Sequence, residues 1–357
     1  MNTLRILILT LVALSARAAE PPNIVFIIAD DLGWGDVPFH GGNAPTPNLE
    51  RLRLESLELT QHYVYPVCSP TRAALLSGRY ATRFGVTTPQ NPRAYPWGTV
   101  TLASALKSVG YDTALCGKWH LGSRPEWGPQ KFGFDHSYGS LAGGVGPWDH
   151  RYKQGEFTTT WHRDGHLIEE KGHVTDLITR EAVQWIESRT AKPFFLYVPF
   201  TAVHLPIKEP GEWLAKVPAE ITGDVARQYA ACVMHLDDSV GRIAAAVEKT
   251  GRASNTLFIF TSDNGGSWAE NADNTYPPDS YAAGTLTAAT VRSATRKGVC
   301  MRAASASRVS CTGRASSSPA NSPEWSTSRI GCRLSARWPG INQRVISSGT
   351  DSTSCHN

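Results

Sequence analysis

The chain predicts an α/β fold, a sheet covered by helices on both faces. Three observations carry this. Four apolar runs, 24–29, 111–116, 194–200 and 256–260, are continuous and do not alternate, as strands buried on both faces require. Helical patterns separate them. Each run also ends in polar, chemistry-bearing residues: Asp30-Asp31, Gly117-Lys118-Trp119-His120, a stretch reaching His204, and Asp263-Asn264. Polar groups at the carboxyl ends of such strands mark the binding crevice of open α/β sheets.

In chain order, residues 1–18 read as an export leader. Arg5 supplies the positive end, 6–14 the apolar stretch, and Ala16-Arg17-Ala18 a small-x-small cleavage site. That stretch is too short to cross a bilayer, and no later segment is long enough. The mature chain is expected to begin near Ala19, exported to the periplasm or secreted. Helices are predicted over 48–57, over 101–108 closed by Gly110, over 173–189, and over 225–249 with Asp224 as cap and Gly251 as stop. Asp237-Asp238 reads as a solvated face of the last of these. The Gly-, Trp- and His-rich stretch 138–165 lacks periodicity and reads as a surface loop over the crevice. Trp148, His150 and Trp161 within it suit either sugar stacking or packing.

Cys68 opens Cys68-Ser69-Pro70-Thr71-Arg72, followed by Ala73-Ala74-Leu75-Leu76-Ser77-Gly78-Arg79. Ser69 can cap a helix, Pro70 fits its first turn and Gly78 ends it. A sulfur there, or a group made from it, faces free N–H groups and the positive end of the helix dipole, where anions bind. Arg72 adds a permanent charge one turn on. A buried, inert cysteine fits the same residues. Likewise, Asp30-Asp31 alone also fits a strand-end turn, and Asp263-Asn264-Gly265 an Asx turn.

Charge and cysteine divide the 357-residue chain. From 288 to 357 there are ten Lys or Arg against Glu324 and Asp351, a balance of +8, which leaves −4 for residues 1–287 of the overall +4. The basic excess therefore belongs to one Ser- and Arg-rich segment, and no nucleic-acid partner is inferred from it. Cys68, Cys116 and Cys232 lie in the body; Cys300, Cys311, Cys332 and Cys355 lie in the tail. An odd total without zinc spacing argues against a full disulfide framework.

The Cys68 signature, Gly117-Lys118-Trp119-His120-Leu121-Gly122, the run from Asn23 to Asp36, and Thr261-Ser262-Asp263-Asn264-Gly265-Gly266 together resemble the type I sulfatases, from about 22 to 287. Within that family the chain resembles the arylsulfatase B-like branch, whose members act on sulfated sugars. The resemblance implies an alkaline-phosphatase-like mixed sheet flanked by helices, with a smaller C-terminal domain that is missing here. It implies that a maturation enzyme oxidises Cys68 to formylglycine, whose hydrate attacks the sulfur of a sulfated carbohydrate or aryl sulfate ester. It places one Ca²⁺, less often Mg²⁺, on Asp30, Asp31, Cys68, Asp263 and Asn264, an oxygen-rich set suited to a hard cation. Arg72 would orient the nucleophile, Lys118 neutralise a sulfuryl oxygen, His120 assist deprotonation of the formylglycine hydroxyl, and His204 protonate the leaving alcohol. A phosphomonoester or phosphonate monoester hydrolase of the same superfamily, or a truncated inactive relative, is the alternative.

After Thr287 the resemblance breaks off. Family members continue with a substrate-contacting Lys and a Gly-Gly-x-Arg-Val-Pro motif; Lys297 is not taken as that Lys, because its context differs. Codons compatible with residues 289–311, read one nucleotide earlier, can spell GNRPLRNAKGCLHAGGIRVPCLV, a family-type continuation. The expectation is a leader over 1–18, an incomplete catalytic domain over 19–287, and an aberrant, frameshifted and disordered tail over 288–357.

Overall fold

In a computed structural model, the chain is described over residues 20–189, 192–272, 275–276, 279–286 and 297–303. The stretch 1–18 expected to be an export leader, and most of the tail, with Cys311, Cys332 and Cys355, lie outside the described residues. The strands within them are β1 (Asn23–Ala29), β2 (Leu57–His62), β3 (Asp112–Cys116), β4 (His136–Ser140), β5 (Trp161–Arg163), β6 (His166–Leu167), β7 (Phe194–Pro199), β8 (Thr256–Ser262) and β9 (Lys297–Ala303). They form one sheet in the order β2-β9-β8-β1-β7-β3-β4-β5-β6. The central five, β8 to β4, run parallel. Antiparallel pairs finish both edges, β2 with β9 and β5 with β6.

The four apolar runs became β1, β3, β7 and β8, and the reason they do not alternate is visible in β1. Val25, Ile27 and Ala29 pack into one core with α4 (Val174–Glu187), α6 (Asp224–Lys249) and α1 (Pro47–Leu54). Ile24 and Ile28 pack into a second core with α2 (Cys68–Ser77) and α3 (Leu102–Ser108). Both faces of the strand are covered, so after Asn23 every position is apolar.

Several expectations are corrected. The helix expected over 48–57 ends at Leu54, and Leu57–His62 pairs as a strand instead. Ser69 does not cap α2: Val67 holds the cap position, Cys68 is the first helical residue, and the Ser69 hydroxyl bonds the His120 carbonyl at 3.1 Å. Asp224 lies in the first turn of α6, behind Gly223. The stretch 138–165 is not a surface loop throughout. It contributes β4 and β5, and residues 137–147 are buried. Within the stretch expected to be a disordered tail, Lys297–Ala303 forms β9, between β2 and β8.

Asp237 is also not a solvated face. It is 2% exposed, and its carboxylate accepts from the N–H of Asn48 at 3.1 Å and of Leu49 at 2.7 Å. It satisfies the free donors that open α1, work normally done by a cap residue on the helix itself. Asp237→Ala should therefore lower the unfolding free energy by about 1–3 kcal/mol. Asp238→Ala, on the exposed side, should stay within about 0.5 kcal/mol of the parent. Urea midpoints of the two variants decide it; equal shifts would remove Asp237 from this role.

His162 on β5 supplies a pH-dependent term. Burial pushes its imidazole down to about 4, although its Nδ1 bonds the Gly139 carbonyl at 2.8 Å. The folded pKa lies below the unfolded value near 6.5, so protons bind the unfolded chain more readily. This contribution is present in full above pH 6.5 and fades as the pH falls toward 4, by up to about 3 kcal/mol. Comparing parent and His162→Gln between pH 7 and 4.5 isolates it. The parent should lose more stability than the variant, and parallel losses would refute the assignment.

Candidate active site

The parallel strands deliver their carboxyl ends to one edge. Backbone bonds lock these ends together: Asp30 N–H to the Ala202 carbonyl (2.8 Å), Val203 N–H to the Asp30 carbonyl (2.7 Å), and Asp263 N–H to the Ala29 carbonyl (3.0 Å). At the end of β3, Gly117 adopts φ 138°, and a Cβ there would lie 2.0 Å from the Pro199 carbonyl oxygen. Only glycine lets β3 approach β7 this closely. The residues that follow turn sharply, Asp31 at φ 60° and His120 at φ 54°, a strained region for side-chain-bearing residues.

Asp30, Asp31 and Asp263 bring carboxylate oxygens within 4.8 Å of one another. Asp30 and Asp263 are fully buried. Two buried cations hold them. Lys118 Nζ donates to Asp30 at 2.6 Å, and Arg72 donates to Asp263 at 2.8 and 3.1 Å and to the Lys118 carbonyl at 3.0 Å. Burial works against charge on Lys118 and Arg72, but Asp30 and Asp263 outweigh it and hold both above their ordinary values. Three carboxylates against two cations leave a net −1.

That surplus, and two loose ends, fit a hard cation. Asp30 Oδ1 and Asn264 Oδ1 are buried without a hydrogen-bond partner among the described residues. Asn264 turns its amide nitrogen to Asp31. Burial above all pushes the Asp30 carboxyl up, with the neighbouring carboxylates adding to it against Lys118. A buried acid so crowded is relieved by a cation, and carbonyl and carboxylate oxygens are what Ca²⁺ or Mg²⁺ takes.

Cys68 sits at the first position of α2, 6% exposed, within the fields of Lys118, Asp263, Asp30 and Arg72. Burial pushes its thiol up to about 11; Lys118 and Arg72 pull it down and Asp263 and Asp30 push it up, and burial decides the outcome. The encoded sulfur is thus protonated at neutral pH. The helix end and Arg72 do not make it a thiolate, so its chemistry requires a change to the side chain itself.

His120 is 3% exposed, and burial, with Lys118, Arg72 and His204 nearby, holds it well below its ordinary value. It is a neutral ring able to accept a proton, and its Nδ1 has no partner among the described residues. His204 Nε2 lies 3.9 Å from Asp31 Oδ2, with its Nδ1 on the Leu205 carbonyl. A Cβ on Gly143 would fall 2.4 Å from His120 Nε2, and one on Gly144 would fall 3.2 Å from His204 Cε1. The glycine pair therefore walls both rings with bare backbone.

The nine positions singled out from sequence all fall at this edge: Asp30, Asp31, Cys68, Arg72, Lys118, His120, His204, Asp263 and Asn264. Arg72 and Lys118 are fully buried, with their charged heads committed to carboxylates. Trp161 and His150 are buried and stack on each other at 4.7 Å, which is packing; Trp148 is 40% exposed. Ser69, Gly143 and Gly144 were missed. The doubled glycine beside a small-residue run was the one available signal.

A family model described as Sulfatase matches residues 22–309, past Thr287 and through β9. N-acetylgalactosamine-6-sulfatase of Mus musculus is 37% identical over 276 residues, covering 71% of this chain and 52% of its own. An arylsulfatase of Klebsiella aerogenes is 28% identical over 317 residues, covering 71% and 68%. Among solved structures, Ps i-CgsB in complex with k-i-k-neocarrahexaose superposes with a TM-score of 0.68 at 31% identity, covering 79% of this chain and 66% of that one. The chain spans about half the length of the first of these relatives. No helix among the described residues is long and apolar enough to cross a membrane.

Proposed function

The chain belongs to the sulfatase family, and on that premise we propose that it hydrolyses sulfate esters at the sheet edge where Cys68 meets the three carboxylates. One observation carries the reading: a buried acid cluster with spare oxygens stands beside a helix N-terminus whose first residue is that cysteine. In this reading Cys68 is converted by a maturation enzyme to formylglycine. One Ca²⁺, with Mg²⁺ second, would be held by Asp30, Asp31, Asp263 and Asn264 with the modified residue 68, and the two groups would supply a hydroxyl nucleophile and polarisation of a sulfuryl oxygen.

The chain's own residues do the rest. Arg72 keeps Asp263 ionised and aimed, and Lys118 aims Asp30 and opposes the burial that pushes its carboxyl up, while adding positive charge next to an incoming anion. Neutral His120 takes a proton from a hydroxyl at residue 68, and His204, opposite Asp31, gives one to the departing alcohol. The free N–H groups of α2 face the anion. The substrate class is a sulfated carbohydrate or aryl sulfate. Support comes from the names of the relatives, a sulfatase of N-acetylgalactosamine and a structure bound to a neocarrahexaose. Export rests on the leader-like stretch 1–18. The reading of 288–357 as frameshifted rests on the alternative codon reading, and the coding nucleotides around codons 284–300 test it.

The experiment uses the full chain, co-produced with a maturation enzyme. The Cys68 peptide should be lighter by about 18 Da, the thiol-to-aldehyde change, and Ca²⁺-dependent sulfate release from an aryl sulfate should exceed phosphate release from the matched phosphate ester. A mature chain that prefers the phosphate ester would move it to phosphoester hydrolysis. A mature, Ca²⁺-loaded chain that cleaves neither would make it an inactive relative.

A further inference from the structure

A second cluster lies between α4 and α6, away from the carboxylates of the active site. His173 is the residue before α4, and Asp176 is one turn on, so both project from the same face of that turn. His235 comes from the middle of α6. Glu209 comes from the segment between β7 and α5 (Gly211–Leu214), which also carries His204. One donor atom each from His173, Asp176 and His235 falls within 4.8 Å of the other two.

The surroundings are those of a ligand set. The side chains of His173, His235 and Glu209 are 2%, 0% and 1% exposed. Both His173 ring nitrogens are buried without a hydrogen-bond partner among the described residues. Glu209 Oε2 accepts from His235 Nδ1 at 2.7 Å, and Glu209 Oε1 lies 3.6 Å from His173 Nε2. A carboxylate on one ring nitrogen leaves the other nitrogen's lone pair for a metal, the usual arrangement behind a metal-bound histidine. His235 Nε2 points at Asp176 Oδ1, 3.3 Å away. Trp213 stacks on His235 at 4.8 Å, and Trp148 meets His173 edge-on at 5.1 Å, so the rings are fixed in place. Asp176, 43% exposed, leaves one side open to solvent.

We propose that His173, Asp176 and His235 bind one divalent transition-metal ion of the Zn²⁺ class, with Glu209 orienting His235, as a clamp joining α4 to α6. Two imidazoles and one carboxylate form an N₂O set, with solvent as a further ligand; such donors suit Zn²⁺ and its neighbours and not Ca²⁺. Zn²⁺ ligands about 2 Å from the ion stand roughly 3.3 Å apart, so the three side chains need close by no more than about 1.5 Å. Arg242 shares Asp176 Oδ1 at 3.2 Å, but it is 44% exposed and has Asp238 as a second partner. A simple Glu-His-Asp bridge accounts for His235 alone. The His173 ring packs against His235 and Trp148, but that packing leaves both its nitrogens buried without a hydrogen-bond partner among the described residues.

The full chain, stripped by chelator, is loaded with saturating Ca²⁺ and titrated with Zn²⁺, then separately with Co²⁺ as a spectroscopic probe. One Zn²⁺ per chain and visible Co²⁺ absorption are expected. Asp176→Asn and His173→Gln should each weaken Zn²⁺ at least ~tenfold and erase that absorption, whereas Cys68→Ala should leave both intact. Asp176 is half exposed, so its variant keeps the fold, checked by circular dichroism. Absence of stoichiometric Zn²⁺ in the parent overturns the proposal. So does Zn²⁺ affinity that survives both substitutions, or that is lost with Cys68.

Discussion

Cys68→Ala is expected to reduce sulfate release by at least about a thousandfold, some 4 kcal/mol of barrier. The methyl group offers no atom for oxidation and no nucleophile, whereas the carboxylates, Lys118 and both histidines stay where they are. Cys68→Ser tests the same point from the other side, because it restores an oxygen at the helix N-terminus. The unmodified thiol, pushed up to about 11, is no substitute either. Rates are read against a parent whose residue 68 peptide shows the mass loss. The alanine variant should still bind Ca²⁺ through the aspartates and be stabilised by it. Retention of a tenth of the parent activity in Cys68→Ala would place the nucleophile elsewhere.

Asp263→Ala should be the most destabilising single change at the site. It removes both hydrogen bonds that neutralise Arg72, a guanidinium with no exposure at all. Breaking a buried pair from one side costs about 3–5 kcal/mol, because the remaining charge stays dry and uncompensated. It also deletes one of the proposed cation ligands. Ca²⁺, which at a hundredfold excess over its Kd should stabilise the parent by about 2.7 kcal/mol, should do little for the variant. The double variant Arg72→Met, Asp263→Leu removes both charges together and should recover much of the stability, but none of the Ca²⁺ response. Urea unfolding of the three chains, with and without Ca²⁺, forms the cycle. If Asp263→Ala unfolds at the parent's midpoint, the buried network does not carry the load drawn for it.

What could be read ahead of the structure followed from short-range rules. The runs at 24–29, 111–116, 194–200 and 256–260 were legible because strands dry on both faces have one simple pattern. Their polar ends were legible because chain order places them directly after those runs. The pattern failed where long-range partners decide. Asp237-Asp238 looks the same whether solvated or buried, and only the packing of α1 against α6 turned Asp237 into a distant cap. Ser69 has the composition of a cap, yet the His120 carbonyl claimed its hydroxyl. The stretch 138–165 has loop composition, yet its glycines let the backbone pass against His120 and His204, which buries it. His173, Asp176, Glu209 and His235 come from three segments, with only the His173-x-x-Asp176 spacing visible locally.

The sequence by itself determined the α/β class, the candidate residues that gather at one sheet edge, and the membership that Cys68 and its companion motifs announced. These depend on local pattern, which the chain carries in plain order. Tertiary structure alone decided the pairing: Lys118 with Asp30, Arg72 with Asp263, Asp237 with the start of α1, and a thiol driven away from ionisation. Each of these is an electrostatic balance between groups far apart in the chain. The strength and even the sign of that balance depend on distance and burial, quantities that exist only after the chain has folded.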